Sequence, residues 1–327
     1  MSSELPRRIL ILVHARDRLA ERRPYQIWAI ADVWRSWGIE VVVQHGIDRF
    51  LDADVVVNHV DLTVVPPPYV RHMARYGVAI NGRCIDTSKR IVSRSLVAQS
   101  ERWDGAVIIK TNRNYGGALE RSMLRSRVGR AWDDLRLRLS RHPWRTRRHL
   151  PTLDYAVLGS MQEVPADVWR NPYLVVERFL PEREGALYVL RTLALFGDRW
   201  ISRRITSNSP VVKSSNAVRA EDVEPHPDAF AAARCIGLDR GKIDYVLHDG
   251  QAVVLDANRT NTMGRTMTPQ RIRETCERLA TGLRSFWPPG APEGVSSPAA
   301  GGERRSSVRV HVLGSPRGGT SDERHRH

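Results

Sequence analysis

Apolar runs alternate with helical patterns over the first 80 residues of the chain. Ile9–His14 is a continuous apolar run, which is typical of a strand buried on both faces in a parallel sheet. Pro24–Trp37 then places its apolar side chains at helical spacing, and Gly38 ends that helix. The same reasoning predicts a short helix at Pro67–Tyr76 and strands at Ile39–Gln44, Val55–Asn58 and Val78–Ile80. Alternating strands and helices predict a small open α/β domain over residues 1–82.

The pattern changes after residue 82, where hairpins of strands become frequent. The predicted strands are Ala106–Lys110, Tyr173–Leu180, Leu187–Phe196, Arg199–Thr206, Lys242–Leu247 and Ala252–Ala257. Predicted helices begin near Asp86, at Pro227 and at Thr268-Pro269, the last with a capping residue followed by proline. Residues 288–327 contain mostly Gly, Ser, Pro and charged residues, and we expect them to be disordered. The fold class expected for the whole chain is α/β (α+β).

The hairpin before Gly264 carries the most informative polar residues. Asp256 and Asn258 are two positions apart on a strand, so they point to the same face. Asp244 joins that face only if the turn has an odd number of residues, and we predict a three-residue loop at His248–Gly250 with Gly250 left-handed. Two carboxylates and an amide oxygen form a hard oxygen cluster that suits Mg²⁺. An ordinary hairpin with a polar end is the alternative.

Composition narrows the class of protein. The chain has 327 residues, of which 41% are hydrophobic and 27% charged, as in globular proteins with sizeable cores. No apolar run approaches the roughly 20 residues of a membrane span, and the first residues lead directly into a strand. The three cysteines are far apart and form no metal-type pair. These features predict a reduced, cytoplasmic protein.

The net charge of +15 comes almost entirely from arginine. Lysine occurs only four times in the chain, at Lys89, Lys110, Lys213 and Lys242. A chain that uses arginine nearly everywhere keeps lysine where a compact point charge is needed. The four lysines are therefore candidate functional residues.

The segment Leu119–Leu150 holds ten of the arginines. Apolar residues at helical spacing predict that part of this segment is an amphipathic helix. Its arginine face is either simply solvated or recruits an acidic substrate or partner. Nucleic acid is the less favoured ligand, because the aromatic stacking platforms common in RNA readers are missing.

The order of elements over Arg83–Trp287 resembles the two-lobed ATP-grasp superfamily, preceded by its usual α/β domain. Lys89 lies before the central domain, and Lys110 ends a strand before a glycine loop in VIIKTNRNYGG. The resemblance implies that both lysines hold ATP phosphates and that Gly116-Gly117 covers them. It also implies that Lys213, in a later polar loop, covers the nucleotide.

The strand end Glu177-Arg178-Phe179-Leu180 matches the family's acid-x-aromatic-apolar hinge. Its backbone is expected to meet adenine, and Glu184 is expected to hold the ribose, with Glu182 as the alternate. The resemblance further implies a role for Arg191 in nucleotide binding and for Lys242 beside the first metal acid. The metal ligands it implies, for Mg²⁺ or alternatively Mn²⁺, are Asp244, Asp256 and Asn258.

The sequence departs from the family pattern in three places. Asp256 stands where many members have glutamate, and the familiar Asn-x-x-Pro-Gly ending is replaced by Asn258–Gly264. The stretch between Lys89 and Lys110 is also short. The sequence therefore assigns no subfamily.

The resemblance implies an ATP-dependent ligase that activates a carboxylate as an acyl phosphate and joins it to an amine. Arg259 and Lys242 are candidates to hold the transferred phosphoryl group and the developing oxyanion, with a structural ion pair as the alternative for Arg259. The expected substrates are small-molecule or peptide carboxylates and amines, and a homodimer is expected from relatives. A small-molecule kinase on the same fold is one alternative. A nucleotide-binding protein that docks an acidic partner without chemistry is the other.

Overall fold

The computed structural model describes residues 5–124, 126–151, 155–264 and 267–287. Its first sheet is parallel and has four strands in the order β2-β1-β3-β4. These strands are β1 (Arg8–Val13), β2 (Glu40–His45), β3 (Val55–Asn58) and β4 (Val78–Ile80). Helices α1 (Gln26–Ser36) and α2 (Pro67–Met73) connect them. The predicted open α/β arrangement is confirmed, and most element boundaries agree within three residues.

A second, antiparallel sheet follows, with three strands in the order β6-β5-β7. They are β5 (Val107–Thr111), β6 (Val157–Leu158) and β7 (Leu174–Arg178). The helices of this region are α3 (Lys89–Val92), α4 (Ala118–Leu124), α5 (Arg127–Leu139), α6 (Pro143–Thr146) and α7 (Ala166–Trp169). The helix predicted to begin near Asp86 is only the short α3. Just after the end of α3, Arg94 N donates to Val254 O at 2.9 Å. This hydrogen bond docks the segment on the later hairpin.

The third sheet is antiparallel, with the order β11-β10-β9-β12-β13 and β8 also paired with β9. Its strands are β8 (Glu182–Glu184), β9 (Leu187–Phe196), β10 (Arg199–Ser207), β11 (Arg219–Asp222), β12 (Arg240–His248) and β13 (Gln251–Asn258). Two helices complete the fold, α8 (Pro227–Cys235) and α9 (Pro269–Ala280).

The packing of α9 joins the first and third sheets. Cys276 and Leu279 of α9, with Leu283 just beyond its end, are buried against α1. Trp34 on α1 donates its indole N–H to Ala280 O at 3.2 Å and meets Phe196 of β9 edge-on, with ring centroids 5.5 Å apart. Burying large aromatic rings against both elements fixes how α1 approaches β9.

The arginine-rich segment is helical, as predicted, but its apolar stripe is exposed. Val128, Trp132 and Leu139 on α5 are 80%, 65% and 74% exposed. Helical periodicity predicts that a face is apolar, but it does not identify what covers that face.

The structure confirms the expected α+β class through one parallel and two antiparallel sheets. In the described ranges, no helix is long and apolar enough to span a bilayer. The expectation of a disordered tail falls on residues 288–327, which lie outside the described ranges.

Candidate functional site

The hairpin of β12 and β13 places four polar side chains on one face. Asp244 lies opposite Asp256, and Lys242 lies opposite Asn258. The predicted three-residue loop is wrong, because His248 pairs with Gln251 across a two-residue turn in which Asp249 and Gly250 both have positive φ. Asp-Gly favours such a turn, and the backbone twist of the turn matches that of the flanking strands.

A β-bulge brings the two carboxylates onto the same face in place of the predicted loop. The pairing shifts between Asp244 and Tyr245, so that Asp244 faces Asp256 while Tyr245 faces Val254. Leu255 is therefore the extra residue on β13. One inserted residue changes the alternation of faces, just as an odd loop would.

The lysines converge on this pair of acids from four separate elements. Lys89 Nζ lies 3.1 Å from Asp256 Oδ1, and Lys242 Nζ lies 2.9 Å from Asp244 Oδ2. Lys110 Nζ lies 2.5 Å from Glu177 Oε2 and is close enough to act on the charge of Asp256. Lys213 interacts electrostatically with both aspartates. All four lysines of the chain thus belong to one charged cluster.

Electrostatics within the cluster favour the charged forms of its central pair. Burial raises the pKa of Asp256, but Lys89 and Lys213 outweigh it and hold that pKa below its usual value. Burial lowers the pKa of Lys89, yet Asp256 outweighs it and raises that pKa above its usual value. Lys213 differs, because burial dominates there and lowers its pKa despite both aspartates.

The donor set on the hairpin fits a hard divalent cation. Asp244 Oδ1 is buried and has no hydrogen-bond partner among the described residues, so one carboxylate oxygen is left for a cation. Asn258 Oδ1 already accepts from Thr260 N at 2.9 Å and from the Thr260 hydroxyl at 3.0 Å. These bonds orient the amide oxygen and leave it a weaker metal ligand than the two carboxylates. Within the described ranges, no cluster of three or more His, Cys, Asp or Glu side chains could hold a metal.

The segment Glu177–Leu180 is tied to the sheet at its predicted adenine-contacting end. Glu177 is fully buried and pairs with Lys110, while Arg178 pairs with Glu101 at 2.8 Å. The backbone N–H groups of Arg178 and Phe179 donate to Ser95 O and Ala106 O at 2.7 and 2.9 Å. A base at this segment would therefore meet its carbonyl groups or Leu180.

The two acids proposed for ribose binding have different partners. Glu182 accepts from Arg191 through both oxygens, at 2.8 and 3.0 Å, and from Leu247 N at 2.8 Å. Glu182, the alternate ribose acid, and Arg191 thus bind each other. Glu184 is half-exposed and accepts from Arg204 at 2.6 Å, a bond that lowers the pKa of Glu184. Arg219 also lies 3.5 Å from Glu184, but the Glu184 side chain is 46% exposed against 13% for Glu182, so Glu184 is the more accessible of the two acids to a ligand.

The Gly116-Gly117 pair forms a tight turn and not an open loop. Both glycines have positive φ, at 64° and 78°, and both are buried. Gly116 O accepts from Leu150 N at 3.1 Å, and a Cβ at Gly117 would lie 3.1 Å from Arg148 O. Asn114, which begins the turn, donates to Ala257 O at 2.8 Å and so anchors it beside the aspartate strand.

Arg259 follows Asn258 and is almost entirely buried. Its Nη2 donates to Leu62 O, whereas Nε and Nη1 have no hydrogen-bond partner in the described part of the chain. No ion pair to Arg259 is present among the described residues, so the structural ion pair considered from the sequence is not observed. Its guanidinium lines a cavity of about 10 Å³ next to Asn258.

Sequence reasoning missed several residues of this region. The small cavity is also lined by Asp61, Asn114 and Glu120, which come from three separate segments. Asp61 accepts hydrogen bonds from the hydroxyls of Tyr25 and Thr260. Asn114 lies in the TNRNYGG stretch and could have been found there, but no sequence signal marks Asp61 or Glu120.

No family model and no curated protein matches the chain. Solved structures similar to it include the D-cycloserine synthetase DcsG, with 13% identity, a TM-score of 0.47 and coverage of 84% of this chain and 98% of that one. Another is the ATP-grasp ligase PsnB with Mg and ADP, with 14% identity, a TM-score of 0.45 and coverage of 84% and 97%. The D-alanine–D-alanine ligase of Bacillus anthracis with ATP has 12% identity, a TM-score of 0.45 and coverage of 87% and 97%.

Of these three, PsnB is described as an ATP-grasp ligase. With TM-scores of 0.45 to 0.47, they carry no weight in assigning an activity to this chain.

Proposed function

We propose that the protein is an ATP-dependent ligase that activates a carboxylate as an acyl phosphate and joins it to an amine. The observation that carries the proposal is the convergence of all four lysines on the Asp244–Asp256 pair. Four ammonium groups face three carboxylates, those of Asp244, Asp256 and Glu177, and this leaves an excess of positive charge for a polyanion. A nucleoside triphosphate bound with a divalent cation matches that combination of charges.

The lysines are suited to neutralising phosphate charge. A carboxylate and the γ-phosphoryl group are both anions, so they repel each other unless cations lie between them. Lys89, Lys110 and Lys213 would supply this charge from three sides. The lowered pKa of Lys213 would return towards its usual value when phosphate oxygens lie beside its buried ammonium group.

The aspartates would hold the cation. Asp244 and Asp256 would supply carboxylate oxygens, with Asn258 as a third ligand. A bound Mg²⁺ would supply Lewis-acid polarisation of the phosphoryl oxygens. Lys242, paired with Asp244, would hold that carboxylate in place when the site is empty.

The reaction then proceeds in two steps. Transfer of the γ-phosphoryl group to a carboxylate oxygen gives an acyl phosphate and ADP. Attack of an amine on its carbonyl carbon forms the amide and releases phosphate with the activated oxygen. Arg259, whose Nε and Nη1 have no hydrogen-bond partner among the described residues, would stabilise the oxyanion of that attack.

Hydroxylamine tests the first step. The protein is incubated with ATP, Mg²⁺, hydroxylamine and a panel of carboxylates, and ADP and hydroxamate are measured together. The proposal predicts equal amounts of both for the correct acid. ADP with a phosphorylated product and no hydroxamate would replace the ligase with a kinase.

A matched pair of variants assigns the activity to this site. Asp256→Asn should abolish hydroxamate formation. Asp249→Asn changes an exposed aspartate in the turn of the same hairpin and should retain it. Equal activity in both variants would contradict the proposed site.

A further inference from the structure

A second cavity, of about 100 Å³, lies beside the first. It is lined by Gly117 of the glycine turn, by Arg121, Arg148 and His149 of the arginine-rich segment, and by Arg113 and Tyr173. Glu120 lines both cavities, so its side chain separates this one from the small cavity at Asn258 and Arg259. Nothing in the proposed chemistry yet uses these residues.

Two guanidinium groups in this cavity lack an acidic partner. Arg113 and Arg148 stack on the ring of Tyr173, with their Cζ atoms 4.9 and 5.2 Å from its centroid. Neither forms an ion pair among the described residues, whereas Arg121 is bound to Asp134 at 2.5 Å. Stacked guanidiniums keep their N–H edges free for bidentate contacts with a carboxylate.

The backbone holds these two arginines together before any ligand arrives. The left-handed Gly117 lets Arg148 O approach within 3.1 Å of where a Cβ would stand, with Arg113 Cδ at 3.6 Å. Asn171 is buried and donates to Trp144 O and Arg147 O, both at 2.7 Å, which fixes the chain just before Arg148. A preorganised pair of cations costs little further ordering when an anion binds.

Glu120 gives the cavity a place that favours a cation, in contrast to the two arginines. Its Oε1 accepts from Thr63 N at 2.9 Å, while its buried Oε2 has no hydrogen-bond partner in the described ranges. An unpaired buried carboxylate oxygen attracts an ammonium group and repels a second carboxylate. The cavity thus has an acidic wall on the side of Asn258 and a cationic wall on the other side. Asp133 also lines the cavity.

His149 adds no cation to this arrangement at neutral pH. Burial, reinforced by Arg121, lowers the pKa of His149. Arg121 Nη1 lies 3.2 Å from its Nε2, which fits a neutral ring that accepts there.

We propose that this cavity binds the amine substrate, and that the substrate carries a carboxylate as well as its amine, as amino acids and peptides do. Arg113 and Arg148 take the carboxylate, and Glu120 takes the ammonium group on the side of the small cavity. The inference rests on the proposed ligase function and names the class of its second substrate.

Direct binding tests the cavity without turnover. Glycine, L-alanine, D-alanine and L-glutamate are titrated calorimetrically into the full chain, each against its α-amide. At least one amino acid should bind about tenfold more tightly than its amide, and Arg113→Gln or Arg148→Gln should remove that difference. Arg138→Gln, an exposed arginine on α5, is the control and should change nothing. No binding by any amino acid, or equal binding by every amino acid and its amide, would overturn the inference.

Turnover separates this inference from the proposed function. With the acid identified, Arg113→Gln and Arg148→Gln should raise KM for the amino acid about tenfold and leave hydroxamate formation and KM for ATP unchanged. A rise in KM for ATP or for the acid would instead place that substrate in the cavity and refute the inference. Amino-acid binding without hydroxamate from any acid would refute the ligase and leave the cavity's role standing.

Discussion

Lys89 Nζ lies 3.1 Å from Asp256 Oδ1, although the two residues are 167 positions apart in the chain. The lysine side chain is 3% exposed and that of the aspartate 26%. Taking an ammonium group out of water is costly unless a carboxylate accompanies it. The pair therefore links the start of the three-stranded region to the last hairpin, and it places a cation beside a candidate metal ligand.

Breaking this pair should destabilise the protein, whereas replacing both members should not. Lys89→Met leaves Asp256 with the more distant lysines and should lower the free energy of unfolding by about 2–3 kcal/mol. The double variant Lys89→Met/Asp256→Leu should recover most of that loss and remain inactive. Urea unfolding followed by circular dichroism measures both. An active double variant would show that the pair is only structural.

The stability contributed by Asp256 should be lost in acid. Because its pKa is lowered on folding, its contribution is present above the unfolded pKa of about 3.9 and is lost as pH falls through the folded value. The difference in unfolding free energy between wild type and Asp256→Asn should therefore be constant from about pH 6 to 8 and shrink below about pH 4. Urea titrations at a series of pH values measure it. A difference that grows towards acid would contradict the lowered pKa.

Lys213 should be the lysine that reacts fastest with amine-reactive reagents at mildly alkaline pH. Its pKa is lowered chiefly by burial, so it has a larger neutral fraction than an ordinary lysine. Peptide mapping by mass spectrometry resolves all four lysines, and Mg·ATP should protect Lys213. Lys242, 31% exposed and paired with Asp244, is the internal comparison. Unchanged labelling of Lys213 at saturating Mg·ATP would place it away from the nucleotide.

The bulge at Leu255 should serve only to turn Asp256 to the face of Asp244. Deleting Leu255 removes the bulge and leaves Asp256 directly opposite Asp244 in regular pairing, so both acids still lie on one face. Binding of Mg·ATP, measured by calorimetry, should therefore be retained, since both acids can still share one cation. A glycine inserted after Gly250 lengthens the turn while leaving the bulge, and it should also retain most of the binding. Loss of binding in a deletion variant that still folds, as judged by circular dichroism, would show that the bulge does more than orient Asp256.

Local patterns predicted most of the elements that position this site. Strand Val55–Asn58 follows from its apolar run and the start of α9 from the Thr268-Pro269 cap, and Asp244, Asp256 and the lysines were singled out by residue type. The bulge at Leu255 was not predicted, because a two-residue Asp-Gly turn and a bulge give the same alternation as a three-residue loop. A pattern of faces cannot distinguish them.

Long-range contacts account for what the sequence left open. The contact of Lys89 with Asp256, and the packing of Arg113 and Arg148 on the ring of Tyr173, depend on chain segments that no local rule connects. The exposed apolar face of α5 is a further case, because periodicity shows amphipathicity but not what the apolar side contacts.

The central claim is that a carboxylate is activated as an acyl phosphate, and the transfer of an oxygen atom from the acid to phosphate tests it most directly. The acid found in the hydroxamate screen is labelled with ¹⁸O in its carboxylate and incubated with ATP, Mg²⁺ and the amine, and the phosphate released is analysed by mass spectrometry. Activation as an acyl phosphate predicts one ¹⁸O atom in each phosphate formed, because the activated oxygen leaves with the phosphoryl group. Amide formation with unlabelled phosphate, or with the label in AMP, would contradict the account.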